Sequence, residues 1–472
     1  MESNDVIENR TFDEIAVGES ASLSRTLSKD DIALFAVMSG DVNPAHLDEP
    51  YAEHSMFHRI IGHGMWGGAL ISTVLGTRLP GPGTIYLGQD LRFRKPVGIG
   101  DTITVTVATK EKQPEKRIVI FDCRCLNQRG EEVITGTATV MAPAEKIRRP
   151  RVPLPEVQLR RHDKYKQLIA RCAELEPIAT AVVHPCDRAA LEGAIGAAEA
   201  RLILPILVGP EAKIRSVAAS EGIDIKNYEI VDVEHSRAAA AKAVALARTG
   251  KAEALMKGSL HTDELMHEVT ATERGLRTLR RISHAFIMDV PSYVEPVIIT
   301  DAAINIFPTL DDKRDICQNA IDLARALGVP EPKVAVLSAV ETVTAKIPST
   351  LEAASLAKMA DRGQITGGLV DGPLAFDNAV SEEAAREKGI ASPVAGKANI
   401  LLVPDLEAGN MLAKQLTFMA GADAAGIVLG ARVPIILTSR ADNLRTRLAS
   451  AAVAVMLAHA RRKAAPVALA AE

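Results

Sequence analysis

Four histidines, His46, His54, His58 and His63, fall within eighteen positions of the stretch GDVNPAHLDEPYAEHSMFHRIIGHGM (residues 40–65), with Asp41 and Asp48 among them. Imidazoles and carboxylates at this density suit either a metal ion or acid–base work. His54 and His58 are spaced i, i+4, which on one helix would turn both rings to the same face. A zinc site built on them needs a third and a fourth ligand at fixed geometry. His63 and Asp48 are at hand, but nothing in the spacing places them, so no metal is expected and the pair reads as solvated surface. Asp41, Asn43 and Pro44 force the chain out of helix, which sets Asp41 and His46 across a bend. A carboxylate and an imidazole held this way can activate a water and return a proton. Downstream, GHGM opens a buried apolar stretch, where free N–H groups at a helix start could polarise a carbonyl.

The second half of the chain carries a different kind of candidate. MKGSLHTD (256–263), ITDAAINIFP (299–308), VDGPLAFDNA (370–379), PDLEAGNMLAK (404–414) and LTSRAD (437–442) each combine a small residue with polar groups. Several follow short apolar runs and so fall at the C-terminal ends of expected strands, where open α/β sheets bind ligands. GxxxxGK[ST] and the dinucleotide fingerprint are both absent, which argues against ATP and NAD.

The elements that must position these groups divide the chain in two. In the first part, SKDDIALFAVMSG reads as a helix capped by Ser28 and stopped by Gly40, and GMWGGALISTVLGTRL as a buried helix ended by the turn at Pro80–Gly83. Strand signals follow in TIYLGQDLRF, DTITVTVATKE and RIVIFDCRCLNQRGEEVITGTATVMA, the last a hairpin turning near Asn127–Gly130. A helix followed by antiparallel strands suggests a sheet wrapped around it. Residues 143–161, rich in proline and arginine, read as an exposed linker. Beyond it, runs such as LPILVG, VAVLSAV and VPIILTSR alternate with alanine-rich helices, the pattern of an α/β domain with mainly parallel strands. Its length suggests two subdomains with a cleft between them. The fold class is thus multidomain, α+β then α/β, with boundaries at 10–142, 143–161 and 162–472.

Bulk properties narrow the function classes. A net charge of −4 and 3% aromatic residues speak against nucleic acid as a partner. Five irregularly spaced cysteines without a CxxC pair argue against a disulfide framework and fit a reducing cytoplasm. No uncharged apolar run is long enough for a membrane span.

The segment SGDVNPAHLDEPYAEHSMFHRIIGHGM, followed by LPGPGTIYLGQDLRFRKPVGIGDTITV, closely resembles the MaoC-like (R)-specific enoyl-CoA hydratases of hot-dog fold. The resemblance implies that Asp41 and His46 are the catalytic pair, that the Gly64 N–H polarises the thioester carbonyl, and that Ser72 contacts substrate. The implied reaction is reversible, metal-free hydration of a trans-2-enoyl-CoA to the (R)-3-hydroxyacyl-CoA. It also implies a homo-oligomer, a dimer or higher.

PDLEAGNMLAK and VPIILTSRAD, with MKGSLHT, SHAFIMD and TDAAINIFP, resemble the phosphate acetyltransferase/phosphate butyryltransferase family, whose α/β fold is like that of isocitrate dehydrogenases. That resemblance implies acyl transfer between coenzyme A and inorganic phosphate. Coenzyme A thioesters and phosphate are then substrates, with no permanently bound cofactor. Ser439 matches the serine that hydrogen-bonds the thioester carbonyl, and Arg440 the arginine that holds phosphate or coenzyme A. Asn410 and Asp442 are candidate substrate contacts. The aspartate that the acetyltransferase branch carries seven residues after the serine is here Thr446, and a phosphate-binding arginine expected near 266–267 is Met266 or His267. The nearest carboxylate is Asp442, in an SRAD form that resembles the butyryltransferase branch, so the departures weaken the case for strict acetyl-CoA specificity and leave the base unassigned. They also leave open a second unit that senses acyl-CoA without turning it over.

Overall fold

A computed structural model describes residues 6–155, 157, 159, 163–293, 295–439 and 442–469. The chain forms two compact units that divide at residues 160/161.

In the first unit a five-stranded sheet runs in the order Ser20–Thr26, Thr102–Gln113, Ile118–Leu126, Glu132–Met141 and Ile85–Phe93, every pair antiparallel. It wraps the helix Gly64–Thr77, the hot-dog arrangement. The alternation in Thr102–Gln113 explains the orientation. Ile103, Val105 and Val107 are buried against the helix, while the intervening threonines stay partly exposed. From the helix, Ile71, Val74 and Leu75 are at most 1% exposed, and each such burial contributes roughly 1.5–3 kcal/mol. Gly67 lets helix and sheet approach closely, since a Cβ there would lie 2.3 Å from Ile134 Cδ1.

Two features differ from the expectation. Ser20–Thr26 is a strand without a strong signal, because only Ala21 and Leu23 of SASLSRT pack inward. The start of the proline/arginine-rich segment is not free linker. Arg148–Pro150 pairs antiparallel with Val6–Glu8. Asn9, 1% exposed, donates to Glu145 O (2.8 Å) and Pro82 O (3.1 Å) and accepts from Ile147 N (2.9 Å).

The second unit is built on one continuous eleven-stranded sheet. One flank holds Glu229–Asp232, Ile203–Gly209, Ile178–Val183, Ala254–Lys257 and Ile435–Ile436, all parallel. The other holds Val297–Thr300, Ile400–Leu402, Lys333–Leu337 and Leu369–Leu374, again parallel. Asp423–Leu429 and Ser283–Asp289 join the flanks through antiparallel pairs, so the two flanks run in opposite directions. One face carries a core shared by both flanks, under the helices Leu310–Ala326 and Leu444–Leu469. The other face carries two separate cores, one per flank. The expected pair of subdomains takes this form.

All five cysteines are free. Among the described residues no helix is long and apolar enough to cross a membrane.

Candidate active sites

The acid–base site of the first unit is assembled by caps and turns. Ser28 and Asp31 form a reciprocal capping box at the start of the helix Lys29–Ser39, and Gly40 ends it in the left-handed region at φ 75°. Asn43 N then donates to Asp41 Oδ1 (3.2 Å), and Asn43 Oδ1 accepts from Ala45 N (3.1 Å). This turn starts the short helix Pro44–Leu47, which carries His46.

Backbone carbonyls set the tautomers. His46 Nδ1 is 2.8 Å from Ile61 O; a carbonyl only accepts, so Nδ1 carries the proton and Nε2 keeps a free lone pair. By the same argument His63 Nε2–H donates to Asp41 O at 3.1 Å. The two imidazoles pack against each other with centroids 3.9 Å apart and planes tilted by 35°. His63 is 4% exposed, and its Nδ1 has no hydrogen-bond partner among the described residues. The spacing gave His63 no place; its ring touches both members of the pair.

Asp41, His46 and His63 each offer a ligand atom within 4.8 Å of the others. His54 and His58 do not share a helix. Glu49–His54 ends at the first, and the second lies beyond it at φ 54°, both exposed.

Gly64 is the first residue of the central helix, and N–H groups there lack intrahelical acceptors. A Cβ on Gly64 would lie 3.0 Å from the Phe93 ring. Ser72 is exposed two turns further along, and forms no hydrogen bond to the pair among the described residues.

In the second unit the loop after Ile435–Ile436 carries Ser439 and Asp442; Arg440 lies outside the described residues. Asp442 Oδ2 accepts from Ser439 N at 2.6 Å. Arg447, 5% exposed in the first turns of the last helix, fastens this loop. It donates to Thr438 Oγ1 (2.9 Å), Ser439 O (2.8 Å) and Asp442 O (3.3 Å). Gly193 makes room for it, since a Cβ there would lie 2.7 Å from Arg447 Cδ. Burial pushes the Asp442 carboxyl above the usual carboxylate range. The Ser439 N–H and the charges of Arg447 and Lys257 pull the other way.

Lys257 ends the strand Ala254–Lys257 and is 7% exposed. Beside it, Ser259 Oγ donates to His184 O (2.8 Å) and accepts from Cys186 N (3.0 Å), and His184 itself has φ 54°. Met266, Ile304 and Leu437 join one apolar cluster, which draws TDAAINIFP towards the serine loop. Within that segment Asp301 is 2% exposed and spends its oxygens on Ala303 N, Ile304 N and Asn305. It shapes the loop. Asn410 does not cap its helix, a task done by Asp405, but donates to Ala302 O at 3.2 Å. Thr446 lines a groove of about 1360 Å³ with Tyr165, Asp289, Tyr293, Asp423 and Arg445; neither Ser439 nor Asp442 lines it.

Arg447 and His184 were not anticipated, and Lys257 only as a member of the cluster MKGSLHTD. Lys257 had a visible signal, a lysine closing a run of apolar residues. Arg447 had a subtler one, a cation in the first turns of a helix, against the macrodipole.

Comparison with known proteins matches each unit separately. A family described as "MaoC like domain" covers residues 14–123, and one described as "Phosphate acetyl/butaryl transferase" covers residues 235–455. A phosphate acetyltransferase of Rhizobium meliloti is 70% identical over 305 residues, 65% of this chain and 96% of that protein. A branched-chain phosphotransacylase structure from Enterococcus faecalis V583 aligns at 31% identity and TM-score 0.53, covering 60% of this chain and 99% of that one. The unliganded R-hydratase PhaJ1 from Pseudomonas aeruginosa aligns at 44% identity and TM-score 0.32, over 33% of this chain and 99% of that one. The chain therefore belongs to the phosphate acetyl/butyryl transferase family through its second unit and carries a MaoC-like domain in its first.

Proposed function

We propose that the chain is a bifunctional acyl-CoA enzyme. The second unit transfers an acyl group, acetyl in preference to butyryl, between coenzyme A and inorganic phosphate. The observation that carries this is the serine loop at a strand end, fastened by Arg447 beside Lys257, in a unit 70% identical to a phosphate acetyltransferase. The Ser439 hydroxyl donates to the thioester carbonyl as charge develops on it. Lys257 and Arg440 supply the positive charge that a phosphate needs.

The first unit adds water across the double bond of a trans-2-enoyl-CoA. The free Nε2 of His46 beside Asp41 supports this reading most directly. The pair takes a proton from water as its oxygen attacks C3 and returns one to C2. Gly64 N–H stabilises the enolate oxygen of the thioester.

A second copy of the chain is proposed to complete this site. The sheet ends at the edge strand Ile85–Phe93, where Ile85, Leu87 and Phe93 are each about half exposed, next to the exposed Met65 of the central helix. Apolar residues on an unpaired edge invite such pairing.

Two assays on the full chain test the reading. Loss of crotonyl-CoA absorbance reports hydration, and phosphate-dependent release of coenzyme A from acetyl-CoA and butyryl-CoA reports transfer. Both reactions are expected, with acetyl-CoA the faster transfer substrate. Acyl-CoA binding without coenzyme A release would make the second unit a sensor instead. A monomer in size-exclusion chromatography that still hydrates crotonyl-CoA would refute the shared site.

A further inference from the structure

We infer that Asp442 is the group that takes the proton from the coenzyme A thiol in acyl transfer, with Arg447 holding it in place. The inference rests on the transferase reading of the second unit and names a residue for a step that reading leaves without one.

A thiol is mostly protonated at neutral pH, and only the thiolate is an effective nucleophile. In the direction from acyl phosphate to acyl-CoA, a base must therefore accept the S–H proton as sulfur attacks. Thr446 stands where the acetyltransferase branch has a carboxylate, and a hydroxyl is no base for a thiol. Thr446 also faces a groove that Ser439 and Asp442 do not line.

Asp442 meets the requirements by position. Its Oδ2 is fixed by the Ser439 N–H at 2.6 Å, which keeps the carboxylate within one turn of the hydroxyl that meets the substrate carbonyl. Because Oδ2 holds the Ser439 N–H, the proton is assigned to Oδ1. Arg447 donates to Thr438, Ser439 and Asp442 from a buried position, which fixes the residues on either side of the serine hydroxyl's backbone bond. Arg447 is thus a positioning residue. Partial burial makes the carboxylate a stronger base than a solvated one, and the Ser439 N–H and the charges of Arg447 and Lys257 oppose that shift.

The S–H bond breaks, and its proton passes to Asp442 Oδ1 as the sulfur forms a bond to the carbonyl carbon of the acyl phosphate. The oxyanion so formed collapses, the bond from carbon to the phosphate oxygen breaks, and inorganic phosphate leaves. The proton returns from Asp442 to water. In reverse, the protonated carboxyl protonates the departing thiolate.

The test uses the full chain and follows acetyl-CoA formation from acetyl phosphate and coenzyme A. Asp442→Asn keeps the size of the side chain and removes the base. Its kcat is expected to fall about 10²- to 10⁴-fold, with acetyl-CoA binding retained and the remaining rate rising with the thiolate fraction as pH increases. Asp442→Glu is expected to keep part of the rate and the acid limb of the wild-type pH profile. If Asn and Glu lose rate equally with the wild-type pH dependence intact, Asp442 only shapes the loop and the inference is overturned. Full activity of Asp442→Asn overturns it as well. A wild-type chain that turns over no acyl phosphate sinks the transferase reading itself.

Discussion

The two units place their chemistry by opposite means. In the first, Asp41 and His46 sit five residues apart, and a capping box, a left-handed glycine and an asparagine–proline turn fold them together. The acidic partner stays exposed. In the second, the groups around Ser439 come from strands and helices remote in sequence, from Lys257 to Arg447, and their supports are buried. Local geometry suffices for a proton shuttle between neighbours. Holding a thioester, a phosphate and a base in line asks for a scaffold that spans a sheet.

The two units should separate most sharply at the groups proposed to be catalytic. Asp41→Asn is expected to lower crotonyl-CoA hydration by about 10³-fold while phosphate-dependent coenzyme A release stays unchanged. Loss of both activities would mean that the units do not act independently. Ser439→Ala is expected to cost transfer about 10²-fold in kcat and hydration nothing.

Acid should also distinguish the units. His284, fully buried on the central strand Ser283–Asp289, is pushed down by burial to about 3. The unfolded chain then binds a proton below about pH 6.5 that the folded one refuses, so this contribution is intact above that pH. It is lost progressively as pH falls towards 3, by on the order of 1.4 kcal/mol per pH unit. Thermal melts of wild type and His284→Phe from pH 7 to pH 5, read by loss of acyl transfer, should show the wild type declining more steeply. Parallel slopes would assign the acid sensitivity elsewhere.

The smallest effect is expected at His63. His63→Phe keeps a flat ring against His46 but loses the bond to Asp41 O. A drop of about ten-fold in hydration kcat, near 1.4 kcal/mol, with KM little changed, would place it as a support of the pair.

Legibility from sequence follows the same division. Asp41 and His46 could be read from GDVNPAH because the turn that joins them is written in adjacent residues. So could the helix starting after Ser28 and the alternation of Thr102–Gln113. His63 could not be assigned a side-chain contact, because its place against His46 depends on where the chain returns at Ile61, which bridges Gly98 and meets His46 Nδ1. Arg447 and Gly193 were hidden for a stronger reason: a glycine matters there only because an arginine from the far end of the chain lies over it. The strand Ser20–Thr26 escaped because it is held by pairing rather than by an apolar face. The start of the linker escaped because side-chain bonds from Asn9 hold it.

That tie between Val6–Glu8 and Arg148–Pro150 has an architectural consequence. Paired strands lie about 5 Å apart, so the polypeptide enters and leaves the hydratase-like body at nearly the same spot. A module whose two ends meet can be transplanted into a loop of another protein, or cut free, without tearing its sheet. The same closure makes it suited to recombination as a cassette, joined to its neighbour by a single strand of chain.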